Sequence, residues 1–388
     1  MHWNSIRAKV VIALAICLII GVAGLVLLMR YSFENNSRAL ATDSVTGAQK
    51  LFSILEAREI SKMDALGGVM IAHPQVREAL VAKDHDRLLQ ITAPVFSRLK
   101  GQGITNLVFH TPEPDMRVLL RVHIPSRFGD SLNRFMLKEA IRTHAVVSGC
   151  ELARAGFAVR VIQPFPEAKG GVGGYVEFGE ELGQFIHTMK DQTGNDYGLL
   201  LSKKYLDRQL WSESSTAWNR RDNWDDNATF VVADQTTPAD GLMQFNGDLA
   251  SVPEQGEVLE RFQHGQQVLV RGLFPIRDAS GNIVGAMFVV HDISGFYLSM
   301  RHTQNVLIAL AVAGLILITI FVLTLLSRLV FRRLDHIIHV ATRVVGGDYA
   351  TEIQVSSEDE VGQFERLFEQ FRRVFVDVLS HVPELQEK

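Results

Sequence analysis

Val306–Leu326, VLIALAVAGLILITIFVLTLL, is a charge-free apolar run long enough to cross a bilayer as a helix. Arg328, Arg332 and Arg333 follow it at once. A second run, VVIALAICLIIGVAGLVLLM, fills Val10–Met29 between Arg7 and Lys9 on one side and Arg30 on the other. Its apolar core is longer than that of a cleaved signal, and Arg30-Tyr31 is a poor cleavage site, so it reads as an uncleaved membrane helix. Basic residues before the first span and after the second favour the cytoplasm. Both termini are therefore expected inside, with about 275 residues outside between the spans, enough to bury a core.

The bulk composition fits that division. The 388 residues are 47% hydrophobic with a mean hydropathy of +0.11, and the two runs supply much of it. A net charge of −4 with mixed signs argues against nucleic acid as a partner. The two cysteines, Cys17 in the first span and Cys150 mid-chain, make neither a disulfide framework nor a zinc site. Cys150 reads as a small buried residue.

Outside the membrane, Tyr31–Ala72 is helical by periodicity: Val45, Ala48, Leu51, Ile54, Leu55, Met63, Leu66 and Met70 recur among polar residues, and His73-Pro74 ends the run. Such a helix is a stalk of roughly 60 Å; the competing reading is two helices broken near Gly47. Helices are expected over 74–82 and 84–99, strands over 105–110 and 117–123, and a helix over 132–144 capped by Gly129-Asp130-Ser131. Strands over 148–153, 157–165 and 172–179 follow, with a turn at 168–171, then a helix over 180–191. This is the order of a PAS-like module with an antiparallel sheet. A looser second round has a strand over 196–201, a helix over 204–211, a loop over 212–226 carrying Trp218 and Trp224, short strands over 229–233 and 242–246, and a short helix over 258–264. It closes on a hairpin, 267–275 with 282–291, turned by Asp278-Ala279-Ser280-Gly281. Asp292-Ile293-Ser294 then caps a helix that enters the second span.

The ectodomain resembles the double Cache family of extracytoplasmic sensors. The resemblance is carried by VLLRVHIPSRFGDSLNR (Val118–Arg134), SGCELARAGFAVRVIQPF (Ser148–Phe165), GGYVEFGEEL (Gly173–Leu182), GNDYGLLLSKKYL (Gly194–Leu206) and the closing RGLFPIRDASGNIVGAMFVVHDIS (Arg271–Ser294). It implies binding of a small molecule, or of a ligand-loaded partner protein, outside the membrane.

Strand alternation groups Arg121, His123, Arg160, Tyr175 and Glu177 on sheet faces that could line a polar ligand pocket. Forked hydrogen bonds from Arg121 and Arg160 suit a carboxylate or another planar anion. The competing reading makes Arg160–Glu177 or Arg121–Glu151 structural ion pairs on a half-solvated face, with Arg134 tying helix to sheet. Catalytic signatures and metal-ligand spacings are missing from the sequence; the histidines are scattered, and no enzyme activity, metal or cofactor is expected.

After the second span, Leu334, Ile338, Ala341 and Val345 form one apolar seam, and Val361, Phe364, Phe368, Phe371, Phe375 and Val378 a second. The stretch resembles a HAMP domain. Gly347 and Asp348 match its turn, Ile353 and Val355 its packed connector residues, and Asp359-Glu360-Val361-Gly362 the start of its second helix. Gly347, Asp348, Glu360, Gly362, Phe364 and Phe368 are the implied signalling residues. Val330 stands where the family has proline at the membrane exit, and Glu369 and Phe371 replace its usual Asn and Met. Gly346–Ala350 lacks the acidic and aromatic pair that ends a cyclase signature, and His381 reads as part of a frayed tail.

The expected architecture is α+β: a cytoplasmic N-terminus (1–9), a first span (10–29), a double Cache-like sensor (31–294) made of stalk (31–72), distal module (74–191) and proximal module (194–294), a second span (306–326), a HAMP parallel four-helix bundle formed in a homodimer (328–380) and a tail (381–388). The expected function is that of a bacterial inner-membrane receptor. It binds a small ligand outside and, having no output enzyme of its own, signals to a separate cytoplasmic protein. The alternatives are a membrane scaffold or assembly protein whose ectodomain binds another protein, or a truncated sensor kinase, cyclase or chemoreceptor.

Overall fold

The computed structural model describes residues 6–153, 156–167, 170–217, 220–238 and 241–386. The first five residues of the expected N-terminus, part of the expected 168–171 turn, Trp218 and the last two residues of the tail lie outside that range. Two compact units emerge, Glu34–Leu298 and Met1–Phe33 with Ser299–Lys388.

Helix α1 is a single element, Ile6–Ala72, so the first apolar run and the stalk share one helix and Gly47 does not break it. In the first unit α2 (Pro74–Val81) and α3 (His85–Lys100) follow. Asp84 caps α3 by accepting from Arg87 N at 3.0 Å. Strands β1 (Asn106–His110) and β2 (Val118–Arg121), helix α4 (Phe135–Thr143), and strands β3 (Val147–Ala153), β4 (Gly156–Pro166) and β5 (Val172–Glu181) complete the distal module. Their sheet is antiparallel, in the order β2-β1-β5-β4-β3.

The proximal module contains α5 (Gly183–Thr193), β6 (Asp196–Ser202), α6 (Arg208–Ala217), β7 (Phe230–Gln235), β8 (Glu257–Val258), β9 (Phe262–His264), β10 (Gln267–Arg277) and β11 (Ile283–Asp292). The sheet runs β7-β6-β11-β10-β8, with β9 also on β10. This module departs from the sequence expectation. Residues 212–217 continue a helix instead of entering a loop. The expected strand over 242–246 is irregular, its Leu242, Met243 and Phe245 serving as core plugs. The expected helix over 258–264 is β8 and β9, because β10 offers both an edge to pair with.

The core follows α1. Val45, Ala48, Phe52, Leu55, Met63 and Met70 share one buried cluster with residues of both sheets. Gly272 on β10 makes the approach possible: a Cβ there would lie 2.4 Å from Val45 Cγ2. On the distal sheet, Gln163 Nε2 donates to the backbone oxygen of Asp64 at 2.9 Å. Cys150 is buried, which pushes its thiol pKa well up.

Helix α7 (Ser294–Leu326) begins at the end of the first unit and, in the other, passes through a π-helical turn, Ser327–Phe331, into α8 (Arg332–Val345), and α9 (Glu360–Gln386) follows a connector. The π turn occupies the place of the missing exit proline. Among the described residues, two helices, one in each terminal region, are long and apolar enough to cross a membrane. Gln304 Nε2 donates to the Met29 carbonyl at 3.3 Å.

Candidate functional site

The distal sheet presents alternate residues of β5 to opposite sides. Tyr175 and Glu177 face α4, whereas Val176 and Phe178 join the core along α1. On the α4 side, Glu177 is the centre of a buried charge network and is 0% exposed. Arg160 Nη1 donates to its Oε1 at 2.7 Å, and Arg134 Nη1 to the same oxygen at 2.8 Å. Arg134 Nη2 and His110 also reach Oε2, the histidine through Nε2 at 3.0 Å. Facing an ionised carboxylate, that nitrogen carries the proton. Glu151 adds a second acid, accepting from Arg134 at 3.3 Å and lying 3.6 Å from Arg160 Nε.

Burial pushes the Glu177 pKa up, but Arg134, the His110 hydrogen bond and Arg160 outweigh it and hold the carboxyl well below its ordinary value. The same burial, with repulsion from Arg134, lowers that of Arg160. Two arginines and two glutamates balance, which is what makes so many buried charges tolerable. Glu151 also anchors the helix above it, since its Oε1 accepts from Met136 N at 2.9 Å and so caps α4 from the neighbouring strand.

Of the five sequence-predicted ligand residues, Arg160 and Glu177 come together. Tyr175 lies on the same strand face but in the apolar cluster beneath α4, with Met136, Leu137, Ala140, Ile141 and Ile162. Arg121 turns elsewhere, forking onto Asp130 at 2.6 and 2.8 Å and donating to the Arg127 carbonyl at 2.8 Å. This corrects the expected cap: with Asp130 occupied by Arg121, α4 starts at Phe135 and takes Glu151 instead. His123 lies beyond the end of β2, its ring 6.4 Å from that of Phe96, and burial lowers its pKa. Alternation fails there because the strand stops at Arg121. The ion-pair reading holds for Arg160–Glu177, though on a buried face, and fails for Arg121–Glu151. Arg134 ties helix to sheet. Sequence reasoning missed His110 as a partner of Glu177; its place on β1, opposite Tyr175, was the available signal.

In the α8–α9 region the buried cluster is Ile337, Val340, Val344 and Ile353, with Leu334, Val361 and Phe368 against it. Ile338 and Val345, expected in the first seam, are exposed, as are Val355, Phe364, Phe371, Phe375 and Val378. The α8 seam buried within the chain is thus one residue out of step with the expected one, and Val355 is not packed. Gly347 takes φ +92° in the turn after α8, where a side chain would be strained. Asp348 accepts from Ala350 N at 3.1 Å and pairs with Arg343 at 2.6 Å. Asp359 is the N-cap of α9, accepting from Gly362 N at 2.8 Å and from Arg333; neighbouring Glu360 opens the helix. A Cβ on Gly362 would lie 1.9 Å from the Ser357 carbonyl oxygen, so the connector needs glycine there.

Residues 49–223 match the dCache_3 family, described as "Double sensory domain of two-component sensor kinase". The match spans less than half of the chain. Among solved structures, the periplasmic domain of Vibrio cholerae LuxQ is similar at 11% identity and TM-score 0.39, over 63% of this chain and 98% of that one. The ligand-binding domain of the Campylobacter jejuni chemoreceptor Tlp3, in complex with L-valine, is similar at 10% identity and TM-score 0.39, over 68% and 96%. A domain of a sensory box/GGDEF family protein from Vibrio parahaemolyticus is similar at 12% identity and TM-score 0.37, over 67% and 98%. No curated protein sequence matches the chain.

Proposed function

We propose that the chain is a membrane receptor whose two-sheet sensor unit lies outside the cytoplasm and relays a change of state through α7 to a HAMP-like helix pair. The observation that carries this reading is the path of the closing hairpin: β11 ends at Asp292, and α7 begins at Ser294 and carries the apolar run Val306–Leu326 without a break in the helix. Displacement of β11 then moves the start of a membrane helix. The family match over residues 49–223 supports a sensory role for the first unit.

The homodimer belongs to the same proposal. Phe364 and Phe371 are 49% and 61% exposed on α9, and Ile338 and Val345 are exposed on α8. A second copy covering that apolar face completes a four-helix bundle. A separate cytoplasmic protein then reads its packing. Oxidation of the full chain carrying Phe371→Cys in native membranes tests this. A disulfide-linked dimer is expected, and a cysteine that stays monomeric under oxidation removes the bundle.

The scaffold reading draws on a different observation. The α4-covered face of the distal sheet is filled by its own ion network, as suits a module that recognises a protein by its outer surface.

A further inference from the structure

A cavity of about 520 Å³ opens where the end of β5 meets α6 and β7. This is within the size range of small-molecule sites. Its wall includes Phe157, Glu181, Trp211, Asn223, Phe230 and Asp234.

The charges around it are not equally occupied. Arg221 pairs with Asp226 at 2.8 Å, and Arg220 Nη1 donates to the Ala233 carbonyl at 2.9 Å. Asp234 accepts from Gln235 N at 2.8 Å and lies against the start of α5, where a Cβ on Gly183 would come within 2.2 Å of its Oδ2. Glu181, the last residue of β5, has no hydrogen bond or ion pair from its carboxylate among the described residues. Burial raises its pKa, and Asp234 adds to that, against the pull of Arg220 and Arg160. Water is the remaining donor to this half-buried acid, and a cation held there replaces it with a stronger partner. Two more polar atoms of the wall, Trp211 Nε1 and Asn223 Oδ1, are buried without a partner among the described residues, and Trp211 is 6% exposed.

We propose that this cavity binds a small primary amine with an apolar body, the ammonium on Glu181 and the body against Phe157 and Trp211. An ammonium supplies donors to Glu181 and Asn223 Oδ1 as charge-assisted hydrogen bonds, while Trp211 Nε1, itself a donor, is left to water. The aromatic wall takes the apolar part and favours a cation over its faces. The ligand class extends the receptor reading, but binding is measured without reference to dimerisation or signalling.

The test is calorimetric titration of the full chain in lipid nanodiscs with phenethylamine and butylamine, and with phenylacetate and butyrate as matched anions. The amines are expected to bind and the anions not to. Glu181→Gln, which keeps the shape and removes the charge, is expected to weaken amine binding at least tenfold, and Glu139→Gln, which removes an α4 surface charge outside the cavity, to leave it unchanged. Equal binding of the anions, no heat from either amine, or the same loss in Glu139→Gln as in Glu181→Gln overturns the proposal. The comparison of amine with anion uses the wild-type protein, so it stands even where Glu181→Gln fails to fold.

Discussion

The two faces of β5 carry similar acids in opposite circumstances. On the α4 face, Glu177 is met by Arg134, Arg160 and His110, and the charges close on themselves. On the α1 face, Glu180 and Glu59 share Lys62, which lies 3.2 Å from Glu180 Oε2 and in direct contact with Glu59. Lys62 also donates to the Gln102 carbonyl at 3.0 Å, and Arg58 donates to Glu59 at 2.9 Å. Burial, with Glu59 adding its charge against the pull of Lys62, raises the Glu180 pKa to about 7. The difference teaches that charge compensation, more than burial, decides whether a carboxylate is a fixed strut or a group that titrates near neutrality. The strut holds α4 to its sheet. The titrating Glu180 lies against α1 through Lys62 and Glu59, on the helix that also contains the first apolar run.

Removing the strut has the largest expected effect. Glu177→Gln leaves Arg134 and Arg160 with Glu151 as their remaining carboxylate, and breaking such a buried group costs about 3–5 kcal/mol. Thermal or denaturant unfolding of the full chain in detergent measures it. The pH dependence has a definite sign. The folded pKa of Glu177 is depressed, so its contribution is fully present above the unfolded value near 4.5 and is lost progressively as pH falls from there through the lower, folded value. Wild-type protein therefore keeps this contribution through mild acid. A variant as stable as wild type would make the network incidental.

The shared lysine comes next. Lys62→Met sets Glu59 against Glu180 with Arg58 as the remaining cation beside them. The expected loss is about 1–3 kcal/mol, from carboxylates left without their donor. It is larger at pH 8 than at pH 5, because protonation of Glu180 relieves the repulsion. Melting temperatures at the two pH values separate this from simple loss of packing, which costs the same at both.

Much of this contrast was legible in the sequence. The alternation of β5 placed Tyr175 and Glu177 together, and the Arg160–Glu177 ion pair was the competing reading of two residues expected to bind a ligand. The closing hairpin and the long helix were also readable, since their periodicity extends over many residues and their turns carry Gly, Asp and Pro. Arg134 was readable as a tie between helix and sheet, but its meeting with His110 and Glu151 was not, because only strand order and the start of α4 bring the three together. Arg121 and His123 were misplaced for a local reason: alternation holds only while the strand lasts, and β2 stops at Arg121. In the proximal module, the short β8 and β9 exist through pairing with β10, which residues 257–264 do not announce. The α8 seam was one residue out because two apolar stripes lie side by side there, Ile337-Val340-Val344 and Ile338-Val345.

The smallest expected effect is the one that most directly separates the two faces. A carboxyl whose folded pKa is about 7, against an ordinary 4.5, binds more protons folded than unfolded between those values. Stability therefore falls as pH rises through that window and levels off above it. The loss across that window is about 1 kcal/mol. Glu59 does not mask it: although burial raises its pKa, Lys62 and Arg58 hold it below the ordinary value, so it titrates under the window. Glu180→Gln keeps the side chain's shape and removes its proton equilibrium. Between pH 5 and pH 7.5 wild-type protein is expected to lose stability relative to Glu180→Gln, the slopes from Glu181 and His123 being common to both. Parallel profiles would assign the titration to another group and make the α1 face as fixed as the α4 face.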